Sequence, residues 1–228
     1  MSKLQSALSI LLAVAVAITG TVVTAAADAT VYVVHGIPDA VVDVALDGEC
    51  VLHGAMYQDQ AGPRDIPAGI HQITVSLTDP MNPCGGEVVL DIPVQLVDGE
   101  NVTAVAFLDD TCQPTAAKFN NDFSRTNPGK ARVTLHHTAC APAIDIAVAR
   151  EMDDPFKTLV QDFANGDQVT DELRPGEWYV TLSEAGSDVP AVGPTLVQLK
   201  PFRAYRVYAV GSVLAGNAAL LVFEDTAK

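Results

Sequence analysis

Period-two alternation runs through most of this chain. In His71–Leu77 (HQITVSL), Ile73, Val75 and Leu77 share one face while Gln72, Thr74 and Ser76 share the other. Trp178, Val180 and Leu182 repeat that inward set, and Val88, Leu90, Ile92, Val94 and Leu96 form a longer one. Such alternation marks strands with one buried and one wet face. Pro93 interrupts the longer run. It has no N–H to donate, so it belongs on an edge strand or at a bulge. Turn signals separate the runs at Asp47-Gly48, Ala68-Gly69, Asp98-Gly99, Asn165-Gly166 and Pro175-Gly176. These residues tolerate the positive φ of tight hairpins. No long 3.6-residue period follows residue 27, and only Glu151–Phe163 (EMDDPFKTLVQDF) has room for a helical turn. The pattern predicts an all-β chain of sandwich type.

The strand text occurs twice. ATVYVVH (29–35) matches ARVTLHH (131–137), and VVDVAL (41–46) matches AIDIAV (143–148). DIPAGIHQITVSL (65–77) matches ELRPGEWYVTLSE (172–184), and Val94-Gln95-Leu96 matches Val197-Gln198-Leu199. The offsets stay between 102 and 107 residues, as loop insertions within a duplicated unit would produce. Solenoid repeats are shorter than this. The expected plan is a first β-sandwich over residues 28–122, a polar linker over 123–130, and a second β-sandwich over 131–228. A linker that short permits close packing of the two units without dictating it.

The N-terminus changes the setting. Met-Ser-Lys, a 12-residue apolar run from Ala7 to Ile18, and Ala25-Ala26-Ala27 read as a secretory signal peptide over residues 1–27. The run is too short for a comfortable membrane span. The expected product is secreted, extracellular or at the cell surface, with the periplasm also open, and it does not span a membrane after cleavage. That product, residues 28–228, carries 12 basic and 28 acidic residues, a net charge of −16. Phosphate backbones require a positive surface, so nucleic acid is excluded as a partner and anionic membranes are disfavoured. Outside the cytoplasm Cys50, Cys84, Cys112 and Cys140 should pair. The expected strand directions favour Cys50–Cys84, with Cys84–Cys112 as the competitor. A Cys112–Cys140 bridge would instead tie the two units together.

The one repeated polar feature is a histidine followed eight positions later by an aspartate: His35 and Asp43, then His137 and Asp145. If the flanking strands formed a hairpin, each ring would face its carboxylate, which can orient an imidazole and raise its pKa. Catalytic and metal-binding readings are weaker than a structural one. Residues 36–42 contain no Ser or Cys, and no third ligand recurs at a matching offset. These are therefore expected to be structural His–Asp pairs, with no catalytic residue, metal or cofactor. His136-His137 is not a metal doublet, because strand neighbours point to opposite faces. His53 and His71 are isolated and expected at the surface or core edge; His71 aligns with Trp178, itself expected in the core. G-x-S-x-G, H-E-x-x-H and phosphate-loop patterns are absent. Asp109-Asp110 and Asp153-Asp154 offer oxygens of the kind calcium favours, without EF-hand spacing. Asn101-Val102-Thr103 fits the glycosylation pattern.

VVHGIPDAVVDVALDG (33–48), DIPAGIHQITVSL, PGKARVTLHHTACAPAIDIAV (128–148), ELRPGEWYVTL and YRVYAVGS (205–212) together resemble the secreted proteins of domain-of-unknown-function family 4397. The resemblance spans Ala29 to Val222. It implies an exported or cell-surface prokaryotic protein with tandem immunoglobulin-like β-domains, and it implies no reaction. The expected function is a non-catalytic binding, adhesive or structural role in the cell envelope. The expected partner is an extracellular or cell-surface protein or a polysaccharide. A polysaccharide-binding accessory protein is the alternative, followed by a secreted hydrolase with an unrecognised acidic site.

Overall fold

The computed structural model describes residues 27–228. The expected signal peptide lies, but for its last residue, outside the described residues. The first half forms β1 (Ala29–His35), β2 (Val42–Leu46), β3 (Glu49–Ala55), β4 (Gln60–Ile66), β5 (Gly69–Leu77), β6 (Val88–Leu96), β7 (Asn101–Leu108) and β8 (Pro114–Asn120). The second half forms β9 (Ala131–Cys140), β10 (Ile144–Ala149), β11 (Lys157–Phe163), β12 (Gln168–Leu173), β13 (Gly176–Glu184), β14 (Pro190–Leu199), β15 (Arg203–Ser212) and β16 (Ala219–Thr226). Among the described residues there is no helix. The helical turn expected within Glu151–Phe163 is replaced by β11, paired with β10. Pro155 disfavours helical geometry at the residue before it, and Leu159, Val160 and Phe163 pack on the core instead.

Each half is a two-sheet sandwich. In the first, sheet β4-β1-β7-β8 faces sheet β3-β2-β5-β6; in the second, β12-β9-β15-β16 faces β11-β10-β13-β14. Adding eight to each strand number of the first half gives the second. All neighbours are antiparallel except β1–β7 and β9–β15, which are parallel. The chain thus has the two-layer build of immunoglobulin-like domains with a strand order of its own. Pro93 sits on β6, an edge strand, where its missing N–H costs no ladder bond.

The two sandwiches stack face to face. All ten residues of β9 and nine of ten in β15 are buried, which is the signature of a strand covered on both faces. The inner faces close the second sandwich, in one cluster that includes Val133, Leu135, Ile146, Leu182 and Val207. The outer face meets the first sandwich: Val34, Val105, Phe107 and Phe119 pack against Tyr208, Val210 and Leu221. The molecule is therefore four sheets deep. The first sandwich has no single core. Its apolar residues fall into two separate clusters, one around Val31, Ile66 and Val102 and one around Val42, Val44 and Val75.

Candidate functional site

The repeated histidines and aspartates do not pair with each other. β1 and β2 belong to opposite sheets, so the hairpin geometry expected for His35 and Asp43 does not form. The His35 Nε2 bonds the Ala40 carbonyl at 3.1 Å, and the His137 Nε2 bonds the Pro142 carbonyl at 3.0 Å. Each ring closes the loop five residues ahead of it. Both rings are buried, and in each Nδ1 has no protein partner. Burial pushes both below the ordinary histidine pKa.

The aspartates do a second job, again in both copies. Asp43 is fully buried. It accepts from the Gly54 and Cys84 amides, both at 2.8 Å, and from the Thr78 hydroxyl at 2.6 Å. The His53 ring lies 2.8 Å away and is the partner that the sequence does not reveal. Burial pushes the Asp43 carboxyl up, but the bonds from Thr78, Cys84, Gly54 and His53 outweigh it and hold the pKa at about 2. Asp145 accepts from the Asp162 and Gly186 amides at 2.9 and 3.0 Å. In each copy the clamped amides belong to residues at positive φ: Gly54 and Cys84, then Asp162 and Gly186. The carboxylate fixes two sharp loop corners against the second strand of its unit.

The remaining candidates resolve in the same structural direction. The His136 and His137 rings diverge as strand neighbours must. His136 stacks on Tyr208 at 4.1 Å, and burial lowers its pKa to about 4. His71 and Trp178 are equivalent in more than alignment: each ring nitrogen bonds the carbonyl four residues earlier, Pro67 and Arg174, at 2.8 and 2.9 Å. Asp109 spends its carboxylate on the Thr111 amide and hydroxyl and the Gln113 amide. Among the described residues no three His, Cys, Asp or Glu side chains gather as a metal site. The Asn101-Val102-Thr103 pattern lies within β7, with Thr103 buried.

The cysteines form Cys50–Cys84 and Cys112–Cys140, and the competing Cys84–Cys112 pairing does not occur. The second bridge crosses from β8's preceding loop to β9 and joins the sandwiches covalently. Six residues along β15 from the register of Cys140, Arg206 reaches across the seam and is 2% exposed. It donates to Asp225 at 2.9 Å on its own side, and to Thr103 at 3.0 Å and Gln60 at 3.1 Å on the other. Its guanidinium lies 4.1 Å from the Tyr32 ring centroid. Phe123, in the expected linker, packs edge-on against Tyr32, so that segment belongs to the seam. The two disulfides fit an extracellular or periplasmic protein. Among the described residues no helix is long and apolar enough to cross a membrane.

One large cavity remains. It lies inside the first sandwich, between its two sheets, with a volume of about 910 Å³. Val31 and Val33 line it from one sheet, and Val44, Ile73, Val75 and Ile92 from the other. His53 and Arg64 stand at its β3–β4 margin, and Lys118 at the opposite one. A smaller cavity of about 330 Å³ sits at one end of the second sandwich beside His137 and Pro142. Period-two patterning marks the lining residues as inward but cannot reveal that they fail to meet.

The sequence model of a family described as "Domain of unknown function (DUF4397)" matches residues 29–147. No curated protein matches the chain.

Proposed function

The chain belongs to the DUF4397 family, and from that premise we propose that it is a secreted or cell-surface, non-catalytic binding protein of the cell envelope. It arose by duplication of one sandwich. The observation that carries this reading is the locked seam. A disulfide, a buried arginine and an apolar cluster hold two sandwiches in one fixed stack. Such construction suits presentation of a binding surface. The repeated His and Asp residues support the same reading, because their polar atoms serve backbone groups of loops.

A polysaccharide role has less support. Trp178, the chain's sole tryptophan, is capped by the Arg150 guanidinium 4.4 Å from its ring centroid, so it offers no free stacking platform. The test is fractionation of expressing cells, a non-reducing peptide map of the exported protein, and a hydrolase screen on ester and glycoside panels. Export with a start near Asp28, both bridges intact and no turnover is the expected result. Cytoplasmic retention with free thiols, or saturable turnover abolished by a single carboxylate substitution, would overturn it.

A further inference from the structure

The two sandwiches share a strand order but not an interior. Their registers allow comparison row by row. Across the first sandwich, one inward row runs Ala61–Val33–Ala104 on β4, β1 and β7. The same row in the second reads Val169–Leu135–Val207. One step along, the position of Ala116 opposite Ala106 is taken by Leu220 opposite Ala209. Each of these four exchanges removes volume from the first sandwich, although the row ends on Lys118 where the second has Val222. The second closes most of this space over one core cluster and keeps only about 260 Å³ beside Leu135 and Val169. The first leaves it open, at about 910 Å³. The hollow is therefore a property of the side chains at these rows and not of the strand order.

An open apolar interior needs an occupant. Val33, Ile73 and Ile92 point inward yet are only half-buried, so aliphatic surface in the middle of a sandwich stays in contact with water, an unfavourable state. The volume falls in the range of small-molecule sites, which are lined by apolar groups with a few polar ones at the margin. Paired sheets stand roughly 10 Å apart, so the space above a row of alanines is a flat slot about one hydrocarbon chain thick. The margin also carries Asp59, which accepts from the Met56 amide; of its cations, one is uncommitted. Arg64 lines the β4 edge and makes no ion pair among the described residues, in a chain that is otherwise strongly acidic. Lys118, at the far edge, is already engaged by Glu100 at 2.9 Å.

We infer that the first sandwich is a binding chamber for a long-chain fatty acid, with the acyl chain between the sheets and the carboxylate at Arg64. This deepens the binding role proposed above and rests on it. The second sandwich, filled at the same rows, is the scaffold that holds the chamber in place.

The test uses the purified full chain, stripped of lipid on a hydrophobic resin and titrated with a dansylated undecanoic acid, then with palmitate as competitor. Saturable one-to-one binding is expected, with octanoate more than tenfold weaker than palmitate because each lost methylene weakens burial. The triple variant Ala61→Val, Ala104→Val, Ala116→Leu installs the residues that the second sandwich carries. It should fold with a melting temperature no lower than the parent and lose palmitate binding at least tenfold. Arg64→Gln should weaken palmitate several-fold and leave 1-hexadecanol unchanged. Palmitate bound equally by parent and folded triple variant overturns the chamber, as does absence of saturable binding. An equal loss for palmitate and hexadecanol in Arg64→Gln overturns the carboxylate assignment. Should the triple variant not fold, photolabelling of the parent with a diazirine palmitate decides: label on β6 or β7 is expected, and label confined to the second sandwich overturns the chamber. Failure of all palmitate binding in an exported, inactive protein leaves the envelope reading standing. Turnover of a substrate panel would overturn that reading and leave the chamber untouched.

Discussion

Asp43 ties two loop corners of the first sandwich to β2. It is a fully buried carboxylate whose oxygens receive two backbone amides, a hydroxyl and an imidazole. Asp43→Asn keeps the shape but turns an amide NH2 toward donors. It is expected to lower stability by about 3 kcal/mol, since removing a partner from buried charged hydrogen bonds strands the others. Thermal melts of the parent and variant check this, and an unchanged midpoint would show that the corner is held by other means. The titration signs are opposite in kind but agree in direction. The Asp43 pKa is depressed to about 2, so its contribution is complete above the usual carboxylate range and is lost as pH falls toward 2. The His35, His136 and His137 pKa values are also depressed by burial. His71, raised by its bond to Asp47, acts in the opposite sense, but three buried rings outnumber it, so the unfolded chain binds more protons than the folded one below about pH 6.5 and stability declines from there toward about 4. Urea midpoints measured from pH 7 to pH 3 should fall across this span. His136→Phe, which keeps the stacking on Tyr208, should flatten the upper part of the slope.

Strand neighbours decide what each inward or outward residue becomes. β1 and β9 read alike: β1 ends on His35, β9 carries His137 three residues before its end, and each ring closes the following loop. Their outer faces, though, meet each other's sandwich and not solvent. Gly36, one residue past β1, shows how close that approach is. A Cβ there would lie 2.9 Å from Val210 Cγ1 and 3.1 Å from the Ala106 carbonyl oxygen. Gly36→Val should destabilise by about 2 kcal/mol through overpacking against β15, read as a lower denaturation midpoint with an unchanged fold by circular dichroism. Arg206 is the second element-scale pin. Arg206→Met removes the charge and the planar fork that reaches Asp225, Thr103 and Gln60 together. It should cost about 3 kcal/mol, because Asp225 loses its buried counter-charge. Rescue by Arg206→Lys to parental stability would show that charge alone suffices. A signal for this seam is present in the sequence: AYRVYAVGS is largely apolar on both faces and is interrupted by one arginine, whereas ARVTLHHTAC carries Arg132, Thr134, His136 and Thr138 on its second face. Alternation alone does not say what the second apolar face meets.

At the scale of the molecule, two sandwiches act as one body. The Cys112–Cys140 bridge spans 28 residues of sequence. Replacing both cysteines with serine should reduce stability by about 3–4 kcal/mol through the entropy of the unfolded chain, which lowers the melting temperature by roughly 6–16 °C in a chain of this size. The stack itself should survive, because Arg206 and the cluster around Tyr208 remain. Small-angle scattering of the reduced variant checks this: an unchanged radius of gyration is expected, and an increase would assign the lock to the disulfide alone.

Composition and periodicity by themselves determined a good deal. Period-two runs and Gly-Asp-Pro punctuation dictate strands, because a pleated chain buries every second side chain. Two matched sets of motifs some hundred residues apart dictate two units of one plan. Four cysteines in acidic, loop-rich text dictate bridges. What only the tertiary structure decided is what stands opposite each inward residue. Asp43 answers to His53, Gly54, Thr78 and Cys84, gathered from segments up to 41 residues away in the chain, while His35 serves a carbonyl of its own loop. Ala104 and Val207 occupy the same register and the same face, yet one lines a chamber and the other fills a core. A one-dimensional pattern records the direction of a side chain; the distance to its neighbour across the sheet is set by the sum of all the others.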